Sequence, residues 1–377
     1  MSAKSATLYH PTPLVVEHQT MLQTPITSLL GLKHPILLAG MASVSNAELA
    51  AAVSNAGGLG VVGGAFISAA KLRATLRDLK SLLVDASLPF GVDLLIPAVG
   101  GSARKTNHDY THGELGNLVD VIIEEGAKLF VCAVGIPPQW LVDKLHAAGI
   151  LVCNMVGSPK HVPKALAVGV DMICAQGTEA GGHTGDIATM VLIPQVVDLC
   201  KAHKSPLHGG PIEVIAAGGI YDGRGLAAAL ALGASAVWVG TRFVAATEAG
   251  CGDRHKDLIT QSTSDETIRT LIYSGRPMRI HRTTYAMQWE KRQAERDAIL
   301  ESGNRVYKTD LAVQEAKGTP LSFAKTYPVI FGQACGGIEE VKPAKAIIEE
   351  MVMTARECIV GAAARFVVGA AAGASRL

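Results

Sequence analysis

A chain of 377 residues is long enough to bury a full core, and a single α/β barrel takes about 250 residues. With 34 Lys+Arg against 33 Asp+Glu, the near-neutral balance argues against nucleic acid or an anionic membrane as partner. The seven cysteines, at 132, 153, 174, 200, 251, 335 and 358, are odd in number and form no C-x-x-C. Buried free thiols in a reducing compartment are therefore expected, and a disulfide or zinc framework is not.

Residues 1–24 lack the basic start and apolar stretch of a signal peptide and read as an N-terminal arm. From residue 25 to 264, short apolar runs alternate with helical spacing eight times. The strand candidates are 36–39, 60–62, 90–95, 129–134, 151–156, 172–175, 214–217 and 236–239. Continuous rather than alternating apolarity implies strands covered on both faces, hence a parallel sheet. Eight such units closing on themselves predict a (β/α)₈ TIM barrel, since an open doubly wound sheet more usually stops at five or six strands. The G-x-G-x-x-G at 58–63 is a decoy. It follows a helical stretch and runs through the second strand, whereas a dinucleotide fingerprint follows a strand and opens a helix.

Downstream, Asp265–Tyr273 has helical spacing, SGRPMRIHRT turns the chain, and 289–302 reads as one charged helix. Residues 265–340 are expected to form a helical cap returning to the active site. A last helix at 343–357, within the 341–377 tail, should pack on the barrel. No apolar segment reaches the ~20 residues of a membrane helix. The terminal Ser375-Arg376-Leu377 resembles a peroxisomal address, so cytosol and peroxisome both stay open.

The chemistry concentrates in GTEAGGHTG at 177–185, directly after the sixth run. It presents one imidazole, His183, among glycines that permit positive φ and close approach of a flat ligand. Barrel enzymes place their sites at the C-terminal strand ends, with phosphate often held after strands seven and eight. Gly218 and Gly219 follow the seventh run, and Gly240 and Thr241 the eighth, giving free backbone N–H groups for an anion. No metal cluster, H-E-x-x-H or G-x-S-x-G elbow is present.

These segments, with LLAGMASVSNAELAAAVSNAGGLGVVGG at 37–64, PFGVDLL at 89–95, AAGGIYDGRGLAAALALGASAVWVGTRF at 216–243 and FGQACGGI at 331–338, resemble the FMN-dependent nitronate monooxygenase family. The resemblance implies FMN lined by Ala39, Gly40 and Met41, with Asp93 near the ring or ribityl chain. Gln176, Gly181 and Gly182 would sit by the isoalloxazine, with Gly218, Gly219, Gly240 and Thr241 on the phosphate. Gln333 and Gly336 would return from the cap, and His183 would be the active-site histidine. The implied reaction is oxidation of a nitronate by O₂ to a carbonyl compound and nitrite.

Two features depart from the family pattern. Asp93 stands where a neutral Asn is common, and the polar loop 100–113 is long. Arg104 and Lys105 in that loop are candidates to meet an anionic substrate. An FMN-dependent NAD(P)H reductase of a quinone or enoyl thioester is the alternative with the same fold, because such reductases carry a similar EAGGH loop. A non-catalytic flavin-binding barrel is the other. Homo-oligomerisation is possible on either reading.

Overall fold

The computed structural model describes residues 22–365, so most of the predicted arm and the Ser375-Arg376-Leu377 tripeptide lie outside the described residues. Eleven strands lie among the described residues: β1 Ile36–Leu38, β2 Gly60–Gly63, β3 Phe90–Leu95, β4 Leu129–Ala133, β5 Leu151–Val156, β6 Met172–Gln176, β7 Gly182–His183, β8 Glu213–Ala217, β9 Ala236–Val239, β10 Thr267–Thr270 and β11 Met278–His281. Eight of them form one parallel sheet in the order β1-β9-β8-β6-β5-β4-β3-β2. A parallel bridge between Leu37 and Leu59, with Leu38 N–H donating to Leu59 O at 2.9 Å, brings the two edge strands together and closes a barrel. All eight runs read from the sequence are its staves.

Alternation along each strand sorts side chains into two layers. Leu37, Val61, Val131, Cys153, Met172, Cys174, Ile215 and Trp238 fill the barrel interior. Leu38, Val62, Val92, Phe130, Val152 and Ile173 point outward beneath the helices. Helix Pro25–Leu30, capped by Thr24, plugs the end where the strands begin, with Ile26 and Leu30 completely buried in the interior cluster. All seven cysteines are free thiols, and Cys132, Cys153 and Cys174 are buried.

The expected cap differs in two places. Asp265–Tyr273 is not a helix: the Thr263–Glu266 capping box turns the chain into β10, which pairs antiparallel with β11, and β11 pairs with β7 of the histidine loop. The β-branched residues Thr267, Ile268 and Thr270 suit that ladder, and the available partner strand decides against helix. The single helix read at 289–302 is two, Thr284–Lys291 and Gln293–Glu301, broken at Arg292, whose guanidinium lies over the buried Trp289 ring at 4.0 Å. Helix Val306–Ala316 follows, and the chain then returns through the 3₁₀ turn Gln333–Gly337.

The last helix runs further than expected, Ala344–Ala363, and packs on helix Gly223–Ala231. Their backbones approach so closely that a Cβ on Gly223 would lie 2.4 Å from Ala355 N and Met351 O. The decoy glycines at 58–63 serve packing as well, since a Cβ on Gly60 would overlap Ala50 O at 1.9 Å.

Candidate active site

The C-terminal strand ends open beneath the small β10-β11-β7 sheet. His183 is fixed there from three sides. Its backbone pairs with Met278 of β11, its carbonyl accepts from Gln176 Nε2 at 2.6 Å, and its Nε2 lies 2.9 Å from Ser274 Oγ. Burial lowers the imidazole pKa to about 4, with the charges of Arg276 and His108 adding to the shift. The ring is therefore neutral at physiological pH. Nε2 is engaged by Ser274, while Nδ1 has no hydrogen-bond partner among the described residues. One ring nitrogen is thus left for a ligand.

Around the barrel axis, the predicted cofactor residues fall into two groups. Asp93 points inward from β3 and is 3 % exposed. Its Oδ1 is buried with no hydrogen-bond partner among the described residues. Burial pushes its pKa up to about 8, so at neutral pH it is a carboxylic acid able to donate a hydrogen bond. The negative charge that the sequence suggests beside a flavin is therefore absent in the ground state. Gly40 faces Asp93 so closely that a Cβ there would meet Oδ2 at 2.3 Å. Met41 N–H donates to Ser45 Oγ, and Met41 Sδ and Ala39 Cβ flank Gly240.

The second group is the pair of turns after β8 and β9. These strands are neighbours, with Ala217 opposite Trp238, so the two turns lie side by side. Gly218 and Gly219 have φ of 98° and 74°, a conformation few side chains tolerate. Gly240 opens the short helix Thr241–Val244 without a side-chain cap. An uncapped turn beside a glycine turn suits a phosphate, and the unpartnered Asp93 suits a ring or ribityl polar group. The residues present fit a phosphorylated flavin.

The other predicted residues have more structural surroundings. Gly182 has φ 74°, as expected of a glycine loop. Gly181, however, meets protein rather than open space: a Cβ there would lie 2.6 Å from Phe331 C, and Gln333 N–H donates to Glu179 O. The 331–333 segment is thus sealed onto the histidine loop. Thr241 Oγ1 accepts from Gly332 N–H at 2.9 Å, which ties the same segment to β9. Gly336 lies against Ser264, on the cap side of that turn.

Arg104 and Lys105 are engaged differently from expectation. Arg104 Nη1 donates to Gly275 O at 3.0 Å and Lys105 Nζ to Glu301 O at 3.1 Å, so both latch the loop to the cap. The cation whose charge bears most on His183 is Arg276, whose Nε donates to Asn107 Oδ1. Sequence reasoning treats 274–277 only as a turn and misses Ser274 and Arg276. It also misses Glu179, whose carboxylate accepts from Thr189 N–H at 3.1 Å and caps helix Thr189–Cys200 from a distant position. A serine and an arginine in the Ser-Gly-Arg-Pro turn are a weak signal, because only the β11–β7 pairing brings them to the imidazole.

A family model described as nitronate monooxygenase matches residues 23–354. The chain belongs to the nitronate monooxygenase family. A Mycobacterium tuberculosis protein, (3aS,4S,5R,7aS)-5-hydroxy-7a-methyl-1-oxo-octahydro-1H-indene-4-carboxyl-CoA dehydrogenase, is 37% identical over 262 residues, 70% of this chain and 67% of that protein. FabK from Thermotoga maritima superimposes with a TM-score of 0.75 at 31% identity, covering 92% of this chain and all of the other. Nitroalkane oxidase from Streptomyces ansochromogenes superimposes at 0.72 with 26% identity, covering 89% and 99%. This nitronate monooxygenase family member is an oxidoreductase on a TIM barrel, and its relatives imply a flavin.

Proposed function

We propose that this enzyme binds FMN and uses O₂ to oxidise alkyl nitronates to carbonyl compounds and nitrite. The observation that carries the reading is the neutral His183, with one ring nitrogen free and the Arg276 guanidinium beside it. A nitronate is a small anion, and Arg276 supplies the opposite charge, while uncharged His183 offers a hydrogen bond or accepts the α-proton of a neutral nitroalkane. Ser274 fixes the ring, and Gln176 fixes the loop that carries it. Bound FMN would supply the two-electron acceptor that O₂ reoxidises. Asp93, protonated, would donate to the flavin's polar edge, and the Gly218–Gly219 and Gly240–Thr241 turns would hold its phosphate.

A second reading is reduction of a quinone or enoyl thioester by NAD(P)H. The excess of cations at the mouth favours it, because NAD(P)H and the phosphorylated carrier of an enoyl thioester are anions. Anaerobic mixing of flavin-loaded enzyme with propionate 3-nitronate and, separately, NADH or NADPH separates the two. Bleaching of the flavin absorbance by nitronate alone supports the first reading. Bleaching only by a nicotinamide overturns it in favour of the second.

A further inference from the structure

Between the loop 100–113 and helix Val306–Ala316 runs a cleft at the outer edge of the mouth. Lys105, His108, Arg305 and Lys308 line it, and no carboxylate among the described residues does. Arg305 Nη1 reaches His108 Nε2 at 3.3 Å, and Lys308 has no side-chain partner among the described residues. The one acid of the loop, Asp109, is turned to its own turn, accepting from Thr111 N–H, Thr111 Oγ1 and Gly113 N–H. Helix Val306–Ala316 starts at the cleft with no side-chain cap, so its positive end faces the same space. Thr106, 5 % exposed, lines the cleft with an Oγ1 that has no partner among the described residues.

The inner wall continues to the reacting centre. Tyr110 packs against His108 with the rings tilted and their centroids 4.1 Å apart, and it feels the charges of both Arg276 and Arg305. Arg276 and His108 in turn bear on His183. At the rim, Phe66 is 55 % exposed in a left-handed backbone conformation (φ 61°), with its ring 4.9 Å from Tyr110 and 6.0 Å from His108. An exposed aromatic platform beside uncompensated cations matches an adenine ring joined to several phosphates.

We propose that this cleft docks the adenine-nucleotide polyphosphate tail of a substrate or co-substrate whose reactive end lies at His183. Coenzyme A thioesters and NADPH share that chemistry. The phosphates lie against Arg305, Lys308 and the helix start, and the base lies against Phe66. This inference rests on the second reading above, in which the electron donor or the thioester substrate carries such a tail.

Calorimetric titration of the flavin-loaded enzyme with coenzyme A and with NADPH tests it, in the wild type and in R305A/K308A. Binding of either compound, weakened about tenfold or more in the double variant and by added salt, supports the cleft, and the compound bound identifies the source. Binding of neither, or binding unchanged in the variant, overturns it. An R305K/K308R variant that retains affinity separates lost charge from lost fold. Phe66→Ala should weaken both nucleotides several-fold while leaving inorganic pyrophosphate unchanged; equal loss for all three would overturn the placement of the base. Nitronate-driven bleaching of the flavin, measured on the same proteins, reports on the oxidase reading separately, because neither Arg305 nor Lys308 touches His183.

Discussion

Two clusters of basic residues in this molecule do opposite things. On the outer wall, Arg73, Arg77 and Lys80 of helix Ala69–Leu82 converge on one carboxylate, Glu125, at the end of helix Leu115–Glu124. Burial alone would raise the Glu125 pKa, but its bonds to Lys80 and Arg77 outweigh that and hold it below the usual carboxylate range. At the mouth, Arg276 and Arg305 pair with no carboxylate among the described residues, and the nearby His183 is kept uncharged. The first cluster holds a charge on and ties two helices together. The second keeps a charge off and leaves its cations for a ligand. Where compensation is complete the role is structural, and where it is missing the proposal above assigns recognition.

The largest expected break in this contrast is at the imidazole. His183→Asn removes the free ring nitrogen and should lower kcat/KM by about 10²–10⁴-fold, the usual range for a positioned acid–base group. Because burial and then Arg276 and His108 depress its pKa to about 4, the wild-type acid limb of kcat/KM should lie near pH 4 and not near the ordinary 6.5. Arg276→Gln should move that limb upward, as one of the depressing charges is gone. A limb near 6.5 in the wild type would mean that His183 is not desolvated as described.

Asp93 gives the next effect, with a different sign. Its folded-state pKa, about 8, lies above its ordinary 3.8, so the fold binds a proton that the unfolded chain has released. Stability tied to this group is therefore complete below pH 4 and is lost as pH rises towards 8. Asp93→Asn in flavin-free protein should raise the Tm at pH 8 by several degrees and should flatten the Tm–pH slope between pH 4 and 8. An unchanged slope would show that Asp93 is ionised in the fold.

Both centres were only partly legible in the sequence, for physical reasons. The eight strands were readable because parallel staves buried on both faces need unbroken apolar runs, as at Leu129–Ala133. His183 and the glycine turns were readable because positive φ and a lone imidazole are local properties. The β10 strand was not, because Thr267–Thr270 becomes a strand only when β11 lies beside it. Ser274 and Arg276 were invisible for the same reason: they reach His183 through strand pairing across about ninety residues of chain. Arg104 and Lys105 read from the sequence as candidates to meet an anionic substrate, but their partners here are cap carbonyls that no local pattern foretells.

The compensated cluster should yield a smaller effect than either titrating centre. Glu125→Gln leaves three cations around a neutral amide, and because Arg77 and Lys80 are partly exposed, the cost should be about 1–2 kcal/mol, seen as a Tm drop of a few degrees. The wild-type contribution is present above the ordinary carboxylate range and is lost as pH falls below it, since the folded pKa is depressed. Activity per folded molecule should not change. If it did, the outer cluster would be coupled to the mouth and the division between them would fail.

The smallest expected effect tests the latch between the two halves of the mouth. Arg104 and Lys105 bond to backbone carbonyls of the cap at Gly275 and Glu301, so their removal loosens the loop without removing a charge from His183's immediate surroundings. An Arg104→Ala/Lys105→Ala variant should therefore raise KM two- to fivefold, roughly 0.4–1 kcal/mol, with kcat and the acid limb of the pH profile unchanged. The rise should be equal for charged and neutral nitroalkanes, because the latch positions the loop and does not itself pair with the substrate. A rise confined to anionic substrates would instead make these two residues part of the recognition surface. They would then join Arg276 and Arg305 as cations held open for a ligand, and the loop would be a binding element in its own right.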